Sequence, residues 1–215
     1  MPLSTFLFDL DGTLIDSVEL ILRSYRHTMR LHRGHEPSDD VWMAGLGTPL
    51  WVQFRQFSDD PREIEAMVAT YREYNLAHHD EMVRPYDGVV DAVRSLRSGG
   101  AALGLVTSKM RSGAVRGLRR AGLEDAFQVI VGADEVTHAK PHPEPVLIAL
   151  QRLAAPADGA VFVGDSRHDI ECGLAAGVKT AAVLWGPFDR AHLEDLEPDY
   201  WLERPGDLSL LAPST

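Results

Sequence analysis

Two rhythms of apolar residues run along this chain. Phe6–Phe8, Leu103–Thr107, Val129–Gly132, Ala160–Asp165 and Thr180–Leu184 are short, almost uninterrupted apolar runs. They are too short for helices and apolar on both faces, the pattern of strands buried inside a parallel sheet. Between the later runs, stretches near 88–98, 111–121, 145–154 and 168–176 carry apolar residues at helical spacing. Strands alternating with helices from about residue 86 predict an α/β protein, a Rossmann-like doubly wound parallel sheet covered by helices on both faces. The first run, ending at Asp9, belongs to the same sheet.

Residues 16–85 break that alternation, and no strand pattern is evident there. Val18, Ile21, Leu22, Tyr25 and Met29 mark one helical face, with Asp16 and Glu19 spaced as a capping box. Asp60-Pro61 gives a second helix start, a cap followed by proline at the first helical position, and Ile64, Met67, Val68 and Tyr71 continue it. The pattern predicts a helical cap over 16–85 inserted into an α/β core made of 1–15 and 86–215. Its two links fall near 13–17 and 80–87, thin enough to act as a hinge. Trp42 and Trp51 are expected inside the cap, and His32, His35, His78 and His79 on helix surfaces.

Charge narrows the function. Twenty-one basic residues against thirty-two acidic ones give a net charge of −11. Binding a phosphate backbone needs a basic footprint, so nucleic acid is not the expected partner. No apolar run approaches the roughly 20 residues that cross a bilayer, which predicts no membrane partner. The first strand begins almost at once, which predicts no signal peptide. A single cysteine, Cys172, excludes an internal disulfide and suits a cytoplasmic location. Its helical setting predicts a small buried residue.

The strand ends carry the chemistry. Asp9 and Asp11 close the first run, followed by Gly12. Thr107-Ser108-Lys109 closes the second, and Gly164-Asp165 with Asp169 closes the fourth. Lys140 stands in Lys140-Pro141-His142-Pro143, where the prolines hold an extended backbone. Each motif alone also suits a turn, a helix cap or a surface charge. In a parallel sheet, however, all these ends share the edge where open α/β folds bind ligands. Together they suit phosphoryl transfer. Asp9 is placed as nucleophile and Asp11 as the acid and then the base. Thr107 is placed to hold a phosphoryl oxygen, and Lys140 to offset charge. Oxygen ligands from Asp9 and Asp165 suit Mg²⁺. Ser108 and Asp169 would support them, Asp169 by orienting Lys140 or a metal-bound water.

Asp9-x-Asp11-Gly12-Thr13, Thr107, Lys140 and Gly164-Asp165-x-x-x-Asp169 resemble the four motifs of the haloacid dehalogenase-like hydrolase superfamily, over nearly the whole chain. The insert after the first motif resembles that family's helical cap. The resemblance implies Mg²⁺ held by Asp9, the Asp11 carbonyl and Asp165. Within the superfamily the chain looks most like phosphoglycolate phosphatases and PpaX-type pyrophosphatases. Tyr71-Arg72-x-Tyr74-Asn75, His78-His79-Asp80, Arg190–Glu194 and Pro198-Asp199 lean toward the latter. The retained Asp11 separates the chain from the dehalogenases and phosphonatases, and the absence of lysine from the cap argues further against the phosphonatases. Ile21, where phosphomutases carry a histidine, speaks against a mutase.

The expectation is a Mg²⁺-dependent phosphatase acting through an aspartyl phosphate on a small phosphorylated anion, 2-phosphoglycolate or pyrophosphate. Sugar phosphatase or phosphomutase activity, a receiver-type signalling module and a non-catalytic sensor of a phosphorylated metabolite stand as alternatives. A monomer or homodimer is expected. Substrate choice is assigned to the cap, where the Gly45-Leu46-Gly47-Thr48 loop could approach the site because glycine lets backbone draw near a ligand. Arg23, Arg55 and Arg111 are candidate cations for a second anionic group.

Overall fold

A computed structural model describes residues 3–212. Its centre is a six-stranded, all-parallel sheet in the order β5-β4-β1-β6-β7-β8, formed by β1 (Thr5–Phe8), β4 (Ala102–Val106), β5 (Val129–Val131), β6 (Ala160–Gly164), β7 (Lys179–Val183) and β8 (Tyr200–Leu202). Alternation along each strand splits the apolar residues between two faces. Phe6 and Phe8 point to one face with Leu103, Leu105, Val161 and Val163. There they pack on α5 (Val89–Ser98) and α6 (Arg111–Ala121) through Val89, Val93, Ala114 and Leu118. Leu7, Val106 and Phe162 point to the other face, against α7 (Glu144–Leu153) and Cys172 of α8 (Arg167–Ala176). Helices therefore cover both faces, as expected, and Cys172 is buried.

After β1 the chain builds β4 and β5 on one side, and the later strands fall on the other. The order reverses at β1, so the crevice of a doubly wound fold opens at its carboxyl end. Registers Phe8↔Leu105 and Phe8↔Val163 bring the ends of β4, β1 and β6 level.

The insert is helical. It contains α1 (Val18–Arg33), α2 (Asp39–Met43), α3 (Leu50–Phe54) and α4 (Pro61–Met82). Ile21, Tyr25, Met29, Trp42, Phe54, Met67 and Tyr71 form a cluster distinct from the sheet core. The Tyr25 and Trp42 rings stack at 4.1 Å at its centre. Asp60 caps α4 as expected, accepting from the Arg62 N–H.

Several expectations need correction. Two short strands, β2 (Ile15–Asp16) and β3 (Arg84–Pro85), pair antiparallel where the insert joins the core. Two residues are too few to show a period. Asp16 lies in β2 and Ser17 takes the cap position of α1, so no Asp16–Glu19 capping box forms; Glu19 binds Arg23 instead. Trp51 is half exposed rather than internal, and His79 is buried rather than on a surface. Strand β8 escaped the apolar pattern because its three residues sit at the sheet edge.

Candidate active site

Three strand ends and the loop before α7 converge on one cleft. Asp9 follows β1 directly, its N–H held by Val163 of β6. Asp165 follows β6 and accepts a 2.7 Å hydrogen bond from the Thr13 hydroxyl. Thr107 follows β4, its N–H on the Val131 carbonyl of β5. Lys140 reaches in from the loop before α7, its ammonium 2.9 Å from Asp9 Oδ1 and 2.6 Å from Asp169 Oδ1. All six side chains, Asp9, Thr13, Thr107, Lys140, Asp165 and Asp169, are buried.

Backbone shape makes this crowding possible. Gly12 has φ +86°, and a Cβ there would stand 2.4 Å from Asp165 Oδ2. A Cβ at Gly186 would strike the Gly12 carbonyl at 2.5 Å. Any side chain at either position would push Asp165 out of the cluster.

The electrostatics follow from burial. Carboxylate oxygens of Asp9, Asp165 and Asp169 lie within 4.8 Å of one another. Desolvation pushes Asp9 up to about 7, with Lys140 opposing and Asp169 adding to the rise. Desolvation also raises Asp165 strongly, helped by Asp169 and Asp9. For Lys140, burial works against its charge, but Asp169 and Asp9 outweigh it and hold the ammonium protonated. Fully ionised, three carboxylates against one ammonium would leave two negative charges, the amount a divalent cation neutralises. Asp169 is already committed, with Oδ1 on Lys140 and Oδ2 accepting from the Ser166 N–H and hydroxyl. It orients Lys140. Asp9 Oδ1 is the opposite case: apart from the Lys140 ammonium 2.9 Å away, the buried oxygen has no partner among the described residues. An oxygen-ligated Mg²⁺ fits this donor set, with Asp9 and Asp165 as side-chain ligands.

Asp11 lines the same cleft in a different setting. Lys109 donates to both its oxygens, at 2.7 and 3.0 Å, and the Ser17 hydroxyl donates to Oδ1 at 2.5 Å. Burial would raise its pKa, but Lys109 and Ser17 prevail and lower it. Lys109 and Ser17 received no role from the sequence. Lys109 follows the Thr107-Ser108 strand end directly, and that adjacency was the available signal.

The cap loop closes over these groups. Ser108 donates to the Gly47 carbonyl at 2.5 Å, and Gly47, at φ +93°, faces Ser166 and His168. Leu46, Gly47 and Thr48 line a cleft of about 390 Å³ together with Asp9, Asp11 and Asp165. Gly45 stands back from the lining, packed on Gln53. The candidate arginines are not brought in. Arg55 stacks on Trp51 in a separate surface hollow, Arg111 binds the Ile130 carbonyl, and Arg23 binds Glu19. The cations among the described lining residues are Lys109 and Arg72. Next to the hinge, buried His79 holds Asp80 through Nδ1 at 2.9 Å and leaves Nε2 without a partner. Asp80 in turn takes a two-pronged contact from Arg116 of α6.

This arrangement has known counterparts. The model of the haloacid dehalogenase-like hydrolases matches residues 6–183. The chain belongs to that family. Proteins similar to it include the pyrophosphatase PpaX of Anoxybacillus flavithermus, 42% identical over 208 residues, which are 97% of this chain and 96% of that protein. PpaX of Halalkalibacterium halodurans shows the same identity and coverage. A haloacid dehalogenase-like family hydrolase from Streptococcus pneumoniae superposes with a TM-score of 0.85 at 25% identity, over 97% of each chain. A hydrolase from Pseudomonas syringae shares the fold at a TM-score of 0.87 and 22% identity, over 96% of each chain. The protein is thus a hydrolase of phosphate bonds in the haloacid dehalogenase-like family. No helix among the described residues is long and apolar enough to cross a membrane.

Proposed function

We propose that this hydrolase is a Mg²⁺-dependent phosphatase that cleaves pyrophosphate, or a similarly compact anion such as 2-phosphoglycolate, through an aspartyl phosphate on Asp9. One observation carries the reading: buried carboxylate oxygens of Asp9, Asp165 and Asp169 gathered within 4.8 Å at the sheet edge, with Lys140 as the sole partner of Asp9 Oδ1. Pyrophosphate comes first because relatives that match this chain over nearly its whole length at 42% identity are called pyrophosphatases.

Asp9 would attack phosphorus in line and displace the leaving oxygen. Asp11, ionised beside Lys109 in the free site, would take up a proton as substrate binds and pass it to that oxygen, then take a proton from the water that opens the acyl phosphate. Thr107 would hold an equatorial phosphoryl oxygen, and Lys140, fixed by Asp169, would offset developing charge. Bound Mg²⁺, held by Asp9, Asp165 and the Asp11 carbonyl, would supply charge neutralisation and alignment of the phosphoryl group. Residues 16–85 would act as the lid, closing through Gly47 on Ser108 and excluding water. A cytoplasmic setting suits a chain whose single cysteine cannot form an internal disulfide.

A bulkier phosphate monoester is the second reading, favoured by a cleft of about 390 Å³ walled by Ile21, Tyr25, Leu46, Val68 and Tyr71. Comparing kcat/KM for pyrophosphate, 2-phosphoglycolate, sugar phosphates and nucleotides, with Mg²⁺ and with EDTA, decides. Highest kcat/KM on pyrophosphate, abolished by EDTA and restored by Mg²⁺, supports the first reading. Preference for a sugar phosphate supports the second, and turnover without divalent ion refutes the metal site.

A further inference from the structure

The cleft holds far more anionic than cationic chemistry, yet its substrate is an anion. Any charge on the substrate beyond the transferred phosphoryl group needs its own partner. Lys140 cannot supply it, being enclosed between Asp9 and Asp169. The cap contributes no lysine, and Arg55, Arg111 and Arg23 are engaged elsewhere. Two cations remain on the lining, Lys109 on the core side and Arg72 on α4 of the cap.

We propose that Lys109, seconded by Arg72, is the receptor for the second anionic group of the substrate, and that this pair selects compact phosphates carrying an extra charge on the leaving side. The inference rests on the phosphatase reading and specifies what that site selects. Lys109 stands at Asp11, the residue placed to protonate the leaving oxygen, so its ammonium already occupies the leaving side of the phosphoryl position. Its stem lies across Gly113 of α6, where an added Cβ would meet Lys109 Cγ at 3.2 Å and Cδ at 3.3 Å. Glycine inside a helix is unfavourable by itself, and here it leaves a channel for the lysine chain. Ammonium on a flexible stem can turn from Asp11 to an arriving anion while the stem stays in that channel. Without substrate, Asp11 is its partner. With a second phosphate or carboxylate bound, Lys109 passes to that group and frees Asp11 to reach the leaving oxygen. Arg72 is exposed at the cleft and has no ion-pair partner among the described residues, so it is free to complete the pair as the cap closes. Selectivity would then reside in a core lysine touching the catalytic acid as much as in the cap loop.

Steady-state kinetics with Mg²⁺ on pyrophosphate and on p-nitrophenyl phosphate test this, because the second substrate has no anion on its leaving group. Lys109→Gln should lower kcat/KM for pyrophosphate about 30-fold more than for p-nitrophenyl phosphate, on the scale of one lost charge-assisted hydrogen bond. Most of that difference should appear in KM. Arg72→Gln should shift the ratio the same way by about 5-fold, the smaller effect of an exposed cation. Equal losses on both substrates, or an unchanged ratio in both variants, would overturn the proposal and leave Lys109 as a positioning residue for Asp11. Absence of phosphate release from either substrate by the unmutated protein would instead refute the phosphatase reading on which the proposal stands.

Discussion

The sheet edge and the helical insert solve opposite problems. At the edge, charged groups are buried and held by specific partners: Lys140 by two carboxylates, Asp169 by Lys140 and Ser166, Asp165 by Thr13 over a glycine. In the insert, the organising contact is a stack of apolar rings, Tyr25 on Trp42 with Phe54 and Tyr71 at the edges. Its polar contributions to the cleft are few. Chemistry would therefore rest on backbone positions that the fold fixes, whereas selectivity would be shared between Lys109 of the core and cap side chains such as Arg72, hung from helices whose placement depends on packing.

The largest expected effect belongs to the edge. Asp9→Asn should lower turnover by about 10³-fold or more, the scale on which hydrolases lose rate with their nucleophile. Circular dichroism should remain native, because shape is kept and Lys140 retains Asp169 as its partner. Comparable phosphate release by the variant would mean that the edge does not carry the chemistry.

Trp42→Ala should remove about 3–5 kcal/mol, as expected for truncating a buried aromatic. Hydrogen exchange should show that loss in α1 and α4 while β1, β4 and β6 stay protected. Equal loss of protection in the sheet would show one cooperative unit in place of two regions.

Metal-linked stability comes next. Burial lifts Asp9 from 3.8 to about 7 in the metal-free protein. The folded state thus binds a proton that the unfolded chain has released between those values. Metal-free stability should be fullest below pH 3.8 in this respect and fall as pH rises through about 7. Mg²⁺ needs the ionised carboxylates, so its stabilisation should grow over the same window, reaching about 2.7 kcal/mol at a hundredfold excess over Kd. Thermal melts with and without Mg²⁺ at pH 5.5 and 8 read this directly, and a larger shift at pH 5.5 would contradict the cluster.

The smallest effect sharpens the contrast within the insert. Trp51, half exposed at the cleft and under Arg55, should tolerate Trp51→Ala within about 0.5 kcal/mol by denaturant titration. A loss rivalling that of Trp42→Ala would place Trp51 in the packing core after all.

What could be read in advance follows the same division. Asp9, Thr107 and Asp165 were legible because buried parallel strands announce themselves as apolar runs, and their ends must share one edge. Lys140 stood out as a lone cation among prolines beside those ends, and in the fold its ammonium lies 2.9 Å from Asp9 and 2.6 Å from Asp169. Lys109 was hidden because nothing in a single strand end tells whether a lysine turns outward or crosses to Asp11, ninety-eight residues away in the chain. Arg55 and Arg111 misled for the converse reason: a cation near a motif in sequence may be claimed by Trp51 or Glu135 in space. Strand β8 and the β2–β3 ribbon were too short to have a period.

The central claim is that phosphate transfer passes through Asp9. Mixing the protein with pyrophosphate and Mg²⁺, quenching within one turnover and reducing with borohydride should convert an acyl phosphate into homoserine at position 9, as read by peptide mass spectrometry. Homoserine at Asp9 that requires both substrate and Mg²⁺ is the predicted result. Continued phosphate release with no modification there, or with the label on another carboxylate, would contradict it.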